Sequence, residues 1–367
     1  MDRWLKVFSR YDWSLMFTSL MLVVIGFLSI YGINLSQATD FFQFKKQLLA
    51  VGLGLVAMVA ISYLDYRHIM MSGWLVYAFG FILLILALIV GKSAHGGGRW
   101  FVVGSLSFQP VELAKVTMAV FLASYVSRHS HKRMNWTIFI GSGVALLGYL
   151  IPVLLQPDFG SGMVLLAIWG ATVVFCGLPR RAWWILFITA LVSSTLLWNF
   201  GLKPYQRDRL VSFVDPAADP LGAAYNVTQA RIAIGSGGFF GKGIGEGSQA
   251  RLRFLPEAST DFMFAVVGEE LGFLGLLLVL GLFGYVMWRM LRIGMQSSDA
   301  FGGILAVAFC AFILFHLLVN AGMNLGLMPV TGIPLPFLSA AASSIVTMFI
   351  VIGLVQSVAV HGRKSGG

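Results

Sequence analysis

Residues 251–275 read RLRFLPEASTDFMFAVVGEELGFLG, and this stretch decides the fold. It opens on Arg251, Arg253 and Glu257 and passes through Ser259, Thr260 and Asp261. It turns apolar at Phe262 and stays largely so to Trp288. A polar loop therefore meets a membrane helix at Asp261. An ionisable group at such an edge costs free energy to keep, which favours a functional role. The plain alternative is an N-cap, since Ser, Thr or Asp before an apolar run is the ordinary way to begin a helix.

The surrounding composition is that of a membrane protein. Of 367 residues, 58% are hydrophobic and 11% charged, with a mean hydropathy of +0.86; a soluble domain carries about 25% charged residues. Repeated apolar runs of ~20 residues predict helices rather than a barrel. Ten spans are expected, at roughly 13–33, 47–64, 73–91, 111–128, 136–154, 160–177, 183–201, 262–288, 302–322 and 343–360. The predicted fold is an all-α polytopic membrane protein, one membrane domain over residues 1–367. The first run follows basic residues as a signal peptide would, but it is too long and lacks a cleavage site, so it reads as a retained helix. Cys176 and Cys310 lie inside apolar runs and read as packing residues, not as a disulfide or metal site.

The formal net charge of +10 is read loop by loop. Arg3, Lys6 and Arg10, then Arg67, Arg128, Lys132, Arg133, Arg180, Arg181, Arg289, Arg292, Arg363 and Lys364 fall on one side. The positive-inside rule makes that side cytoplasmic, with both termini inside. Lys45 and Lys46 run against the pattern. The charge does not imply nucleic acid.

The outer side then holds every unusual segment. Residues 92–110, KSAHGGGRWFVVGSLSFQP, form the second outer loop, and Val111-Glu112-Leu113-Ala114-Lys115 opens the next helix. Pro110 suits a first turn, so Glu112 and Lys115 stand three apart on one face. They form either a self-neutralising helix-end pair or a charged patch facing a cavity. In the third outer loop Asp158, between Pro157 and Phe159-Gly160, is a turn and helix start or a further outer carboxylate.

The large outer loop, residues 202–260, lies between the seventh and eighth spans. Residues 205–214 and 221–234 fit short surface helices, with a turn marked by Asp215-Pro216 and Asp219-Pro220. Residues 235–247, GSGGFFGKGIGEG, are neither a Walker A loop nor a dinucleotide-binding turn. With Lys242, Arg251 and Arg253 they form either a cradle for a pyrophosphate or a flexible loop. In the last outer loop, residues 320–344, three prolines within eight residues rule out a continuous helix, yet the segment is apolar. It reads as re-entrant over 323–342, with Asn320, Asn324 and Thr331 as polar features. His316, alone on an apolar helix, reads as a packing residue, and His129 and His131 as solvated on the inner side. No Ser–His–Asp hydrolase arrangement can be drawn on the outer side, where His95 stands.

Taken together, these residues resemble a family. Arg99-Trp100 followed by Phe108-Gln109-Pro110-Val111-Glu112-Leu113-Ala114-Lys115 is similar to a signature of the SEDS (shape, elongation, division and sporulation) proteins. So are Gln156-Pro157-Asp158-Phe159-Gly160, Leu255-Pro256-Glu257 with Thr260-Asp261-Phe262, Gly268-Glu269-Glu270-Leu271-Gly272, and residues 320–336. The segment YNVTQARIAIGSGGFFGKG resembles the elongation branch, RodA, more than the division branch, FtsW. The resemblance implies ten membrane helices in the bacterial plasma membrane and a peptidoglycan glycosyltransferase acting on lipid II. It also implies a class B penicillin-binding protein as partner, with other elongation-complex membrane proteins. Asp261 matches the family's essential aspartate, Glu112 and Lys115 its charged pair, and Asp158 its other outer acid. Two departures stand out: Ser259 where the family has His, and Ser339-Ala340-Ala341-Ala342-Ser343-Ser344 where it has Ser-Tyr-Gly-Gly-Ser-Ser.

That activity needs a base for the attacking hydroxyl, cations for the leaving pyrophosphate and a groove for the lipid. Asp261 is the expected base. Lys115, Arg99, Lys242, Arg251 and Arg253 are the expected cations, with Glu112 holding Lys115 and Glu257 near the substrate. No cofactor is certain; a divalent cation, Mg or Mn, held by Asp261 is the alternative way to bridge the phosphates. The rival classes are a lipid II flippase and a non-catalytic scaffold for the transpeptidase.

Overall fold

The computed structural model describes residues 9–36, 41–93, 99–103, 106–129, 134–178, 180–196, 199, 204–215, 222–252 and 254–362. Arg3, Lys6, His95, His131, Lys132, Arg133, the 216–220 turn, Arg253, Arg363 and Lys364 lie outside them.

The helices are α1 (Trp13–Ser36), α2 (Phe42–Tyr63), α3 (Tyr66–Met71), α4 (Gly73–Val90), α5 (Pro110–His129), α6 (Trp136–Leu155), α7 (Phe159–Phe175), α8 (Arg180–Leu196), α9 (Pro204–Val214), α10 (Ala223–Gly237), α11 (Ser248–Arg251), α12 (Met263–Met295), α13 (Ala300–Asn324) and α14 (Ala342–His361). Among the described residues eight are long and apolar enough to cross a membrane: α1, α2, α4, α5, α6, α12, α13 and α14. The helices α7 and α8, at the sixth and seventh expected spans, have 17 residues each. Short polar side chains start several of them: Asp12 accepts from Leu15 N–H, Asn135 from Ile138 N–H, Asp158 from Ser161 N–H and Asp299 from Gly302 N–H. Each satisfies a backbone donor that the helix leaves open.

The second outer loop departs from an all-helical reading. It forms a three-stranded antiparallel sheet of β1 (Lys92–Ser93), β2 (Arg99–Val103) and β3 (Leu106–Phe108). Phe101 pairs with Phe108 and Val102 with Ser107. Aromatic and β-branched residues suit such a ribbon, which delivers the chain to Gln109 at the start of α5.

Helix α5 is the least apolar of the eight and among the most buried. It packs on α4, α6, α7, α13 and α14, so protein rather than lipid surrounds it and charge can be kept on it.

Helix α12 is broken at Gly272, whose φ of 67° and ψ of −164° are not helical. The break exchanges partners with the Gly-rich loop. Lys242 and Gly243 N–H donate to the carbonyls of Glu269 and Glu270, while Phe273 and Leu274 N–H donate to those of Gly238 and Phe239. The Glu269 and Glu270 carbonyls and the Phe273 and Leu274 N–H groups are those a continuous helix would have paired with one another, so these four stay satisfied. A Cβ at Gly272 would stand 2.3 Å from Gly241 N, so only glycine fits.

Residues 325–341 form no helix, yet Ile333, Leu335, Phe337 and Leu338 are buried. The Leu338 carbonyl crowds Gly26 of α1 and accepts from Gln47 Nε2 of α2 at 3.4 Å. Gly26 lies ten residues from the end of α1, about 15 Å at 1.5 Å per residue. The segment therefore dips well below the outer ends of the helices. Irregular backbone survives there because protein, not lipid, encloses it.

Candidate functional site

The start of α7, the approach to α12 and the outer half of α13 meet around one strip of this irregular segment, residues 331–334, and α5 reaches it through His316. Between them the four residues touch three neighbours: the start of α7, Asp261 and α13. The Thr331 carbonyl and Ile333 side chain abut Gly160 at the start of α7. Gly332 faces Asp261, whose Oδ2 lies 3.4 Å from where a Gly332 Cβ would be. The Ile333 carbonyl accepts from Asn320 Nδ2 at 2.8 Å, and the Pro334 carbonyl lies 3.1 Å from His316 Nδ1.

The Asp261 backbone is clamped. Its carbonyl accepts from Asn320 Nδ2 at 2.9 Å and Asn324 Nδ2 at 3.1 Å, and Asn324 Oδ1 accepts from Ala265 N–H at 3.2 Å. Upstream, the Glu257 carbonyl accepts from the N–H groups of Thr260, Asp261 and Phe262. Ser339 Oγ donates to the Thr260 carbonyl at 2.6 Å and accepts from Leu335 N–H, and Ala340 N–H donates to the Ser259 carbonyl at 2.8 Å. Asp261 is thus not the N-cap: the helix begins at Met263, capped by Phe262 with no side-chain bond. Asp261 is half-buried and Gly332 exposed, so this edge of the site is open at the protein surface.

Glu112 and Lys115 sit behind it. Lys115 Nζ lies 2.8 Å from Glu112 Oε1, with side chains only 1% and 3% exposed for Lys and Glu. The ammonium also lies 3.3 Å from His316 Nε2 and 5.7 Å from the Phe312 ring centre. A carbonyl only accepts, so the Pro334 contact places the imidazole proton on Nδ1 and leaves Nε2 to accept from Lys115. Glu112 Oε2 is buried with no hydrogen-bond partner among the described residues. The expected charged patch facing a cavity is therefore a sealed pair. The 333–338 segment, whose sequence announces only that it is not a helix, packs into the core beside it.

Asp158 joins this face as well as capping α7. Its Oδ2 accepts from Gln109 Nε2 at 3.1 Å, and Gln109 N–H donates to Ser343 Oγ at 3.3 Å. Gln109 and His316 are the site residues that sequence reasoning missed. The available signals were the position of Gln109 beside Pro110 and a polar ring on an otherwise apolar helix.

The remaining expected cations are engaged elsewhere. Arg99 Nη1 donates to the Gly91 carbonyl at 2.9 Å, tying β2 to the end of α4. Lys242 Nζ pairs with Glu269 Oε1 at 2.8 Å, and Glu269 also accepts from Ser248 Oγ and Gln249 N–H. The Gly-rich amides expected to cradle a pyrophosphate are used on Glu269 and Glu270: Gly245 N–H donates to Glu270 Oε1 at 2.9 Å. The loop is neither an open cradle nor a free linker, because it completes the broken helix. Arg251 is exposed, 4.0 Å from Glu246, and Glu257 is exposed and accepts from Thr260 Oγ at 3.0 Å. Arg253 lies outside the described residues.

Among the described residues no three His, Cys, Asp or Glu side chains stand close enough together to hold a metal ion. A divalent ion at Asp261 would draw its other ligands from substrate oxygens and water.

A half-exposed carboxylate, a buried lysine–histidine pair and a re-entrant strip between them lie toward one end of a bundle of helices long and apolar enough to cross a membrane, the architecture of a polytopic membrane protein. Residues 12–364 match the family of the FtsW, RodA and SpoVE cell cycle proteins, the SEDS family, and the chain belongs to it. Stage V sporulation protein E of Bacillus subtilis (strain 168) is 36% identical over 363 residues, covering 96% of this chain and 98% of the relative. Peptidoglycan glycosyltransferase MrdB of Escherichia coli (strain K12) is 34% identical over 334 residues, covering 89% of this chain and 88% of the relative. A chain of a peptidoglycan synthase complex that coordinates polymerization and crosslinking superposes with a TM-score of 0.80 at 32% identity, covering 95% of this chain and 97% of that one. The rod shape determining protein RodA of Thermus thermophilus superposes at 0.70 with 29% identity, covering 95% and 96%. The chain is a multi-pass protein of the bacterial plasma membrane.

Proposed function

We propose that this chain is a peptidoglycan glycosyltransferase that polymerises lipid II at the outer face of the plasma membrane. The observation that carries the reading is the 331–334 strip, which brings the Asp261 carboxylate within two residues of the carbonyl that orients His316 and Lys115. The relatives named peptidoglycan glycosyltransferases support it.

In the reaction a sugar hydroxyl of one lipid II attacks the anomeric carbon of a second sugar chain. The C–O bond to undecaprenyl pyrophosphate breaks and the hydroxyl proton leaves. Asp261, at the open edge, takes that proton. Lys115, desolvated on α5, is the cation for the leaving pyrophosphate, where a charge in low dielectric acts most strongly. To reach it, the phosphate displaces Glu112 from the ammonium. Asp158 and Gln109 line the α7 side. Arg99 and Arg251 are cations nearer solvent, and Lys242 acts through the shape of the loop. The chain works as one membrane domain beside a class B penicillin-binding protein that cross-links the glycan. The resemblance of the YNVTQARIAIGSGGFFGKG segment to the elongation branch supports a role in elongation and cell shape.

The test is incubation of purified protein with lipid II. Glycan chains from the wild type, and their loss in Asp261→Asn, are expected. Translocated but unpolymerised lipid II would mean a flippase, and a silent Asp261→Asn in cells would mean a scaffold.

A further inference from the structure

We propose that His316 is a positioning residue for Lys115, coupling it to the re-entrant strip that borders Asp261; this rests on the reading of Lys115 as the pyrophosphate cation. The residue is fully buried on α13, one of the most apolar helices. A histidine merely filling space needs one partner for its N–H. His316 has one for each nitrogen, and the two come from different elements. Nδ1 donates to the Pro334 carbonyl at 3.1 Å and Nε2 faces Lys115 Nζ at 3.3 Å.

The geometry explains why a ring is used. Lys115 lies on a long flexible stem that Glu112 alone would not fix, since one carboxylate oxygen permits many ammonium positions. The imidazole gives a second acceptor, and its own tilt is held by the Phe312 edge-on contact at 4.9 Å and by Pro334. Phe312 also lies under the ammonium, 5.7 Å from its ring centre, so α13 presents a face and a lone pair to one cation. The Pro334 carbonyl is two residues from Gly332, which faces the Asp261 carboxylate. Movement of the strip to admit a lipid-linked sugar would therefore move the ring that holds Lys115. The base side and the leaving-group side of the site would open and close together. The charged groups facing the ring are Lys115 directly and Glu112 through it, both from α5; the strip contributes only carbonyls, and Asn320 is one turn along α13.

The experiment compares wild type, His316→Leu, His316→Gln, Lys115→Met and the His316→Leu/Lys115→Met double variant as full-length protein in detergent. It reads lipid II polymerisation, melting temperature and acetylation of Lys115 by acetic anhydride. His316→Leu is expected to lower kcat/KM by on the order of 10- to 100-fold, as loss of a buried polar contact does. The double variant is expected to be no slower than Lys115→Met, because the histidine acts only through the lysine. Glutamine supplies a donor and an acceptor at similar reach and is expected to restore the rate to within a few-fold. Additive losses in the double variant would overturn the proposal, as would a glutamine variant no better than leucine. If the wild type makes no glycan, the glycosyltransferase reading fails, and the labelling arm alone decides this one. Acetylation of Lys115 then must rise several-fold in His316→Leu and stay low in His316→Gln; equal labelling in all three refutes it.

Discussion

Two acid–lysine pairs with buried carboxylates stand on the outer half of this protein, and they are built differently. Glu269 is saturated: Lys242, Ser248, Ser236 and the Gln249 amide all donate to it, and Lys242 is 30% exposed. Among the described residues the Glu112 carboxylate holds only Lys115 and keeps one oxygen unpartnered, and its lysine is 1% exposed. A satisfied buried carboxylate fixes structure, whereas a half-satisfied one costs free energy and persists where something else requires it. The first pair closes a helix break, and the second is joined through His316 to the strip beside Asp261.

The largest expected effect tests the centre of the second region. Asp261→Asn should cut polymerisation by about 10²–10⁴-fold, the usual contribution of a general base, with an unchanged melting temperature. Next comes the exchange of each pair for neutral residues. Glu112→Gln with Lys115→Met leaves no buried charge, so the fold should hold while the rate falls by about 10²-fold or more, as when a transition-state donor is removed. Glu269→Gln with Lys242→Met should do the reverse. The amide nitrogen would face the Ser248 and Gln249 donors, the melting temperature should drop by several degrees, and the rate per folded molecule should stay within a few-fold. If both exchanges damage rate and stability alike, the contrast between the pairs is wrong.

Gly272→Ala sharpens the role of the break. Forcing a Cβ against Gly241 N at φ 67° should cost about 1–3 kcal/mol, seen as a lower melting temperature and earlier proteolysis within residues 237–247. The smallest effect is at the opposite end. Burial disfavours the charged form of Asp12, but Arg289, Leu15 N–H and Ser14 outweigh it and hold the carboxyl below its ordinary range. A depressed folded pKa gives stability that is present above the unfolded value of about 3.9 and lost as pH falls through the folded one. Asp12→Asn should therefore lower the melting temperature modestly at pH 7, and the difference should shrink below pH ~4.

Glu112 and Lys115 were legible as a pair because both fall within one helical turn, and spacing alone puts them on one face. Asp261 was legible as a boundary because hydropathy changes there. His316 was not, because nothing local marks its partner 201 residues away in sequence. The Gly-rich loop was misjudged for the same reason: its amides are spent on Glu269 and Glu270, a pairing visible only once α12 is seen to break. The small sheet escaped notice because its strands are short and glycines interrupt them.

Sequence by itself determined the membrane helices, through runs of apolar residues long enough to span lipid, and the family, through motifs spread along the chain. It also placed most of the acids and cations at the ends of those helices, because hydropathy is a local property. Only the tertiary structure decided which of them meet. Contacts between α5, α12, α13 and the 331–334 strip join residues remote in the chain, and they depend on how helices pack and where an irregular segment is buried.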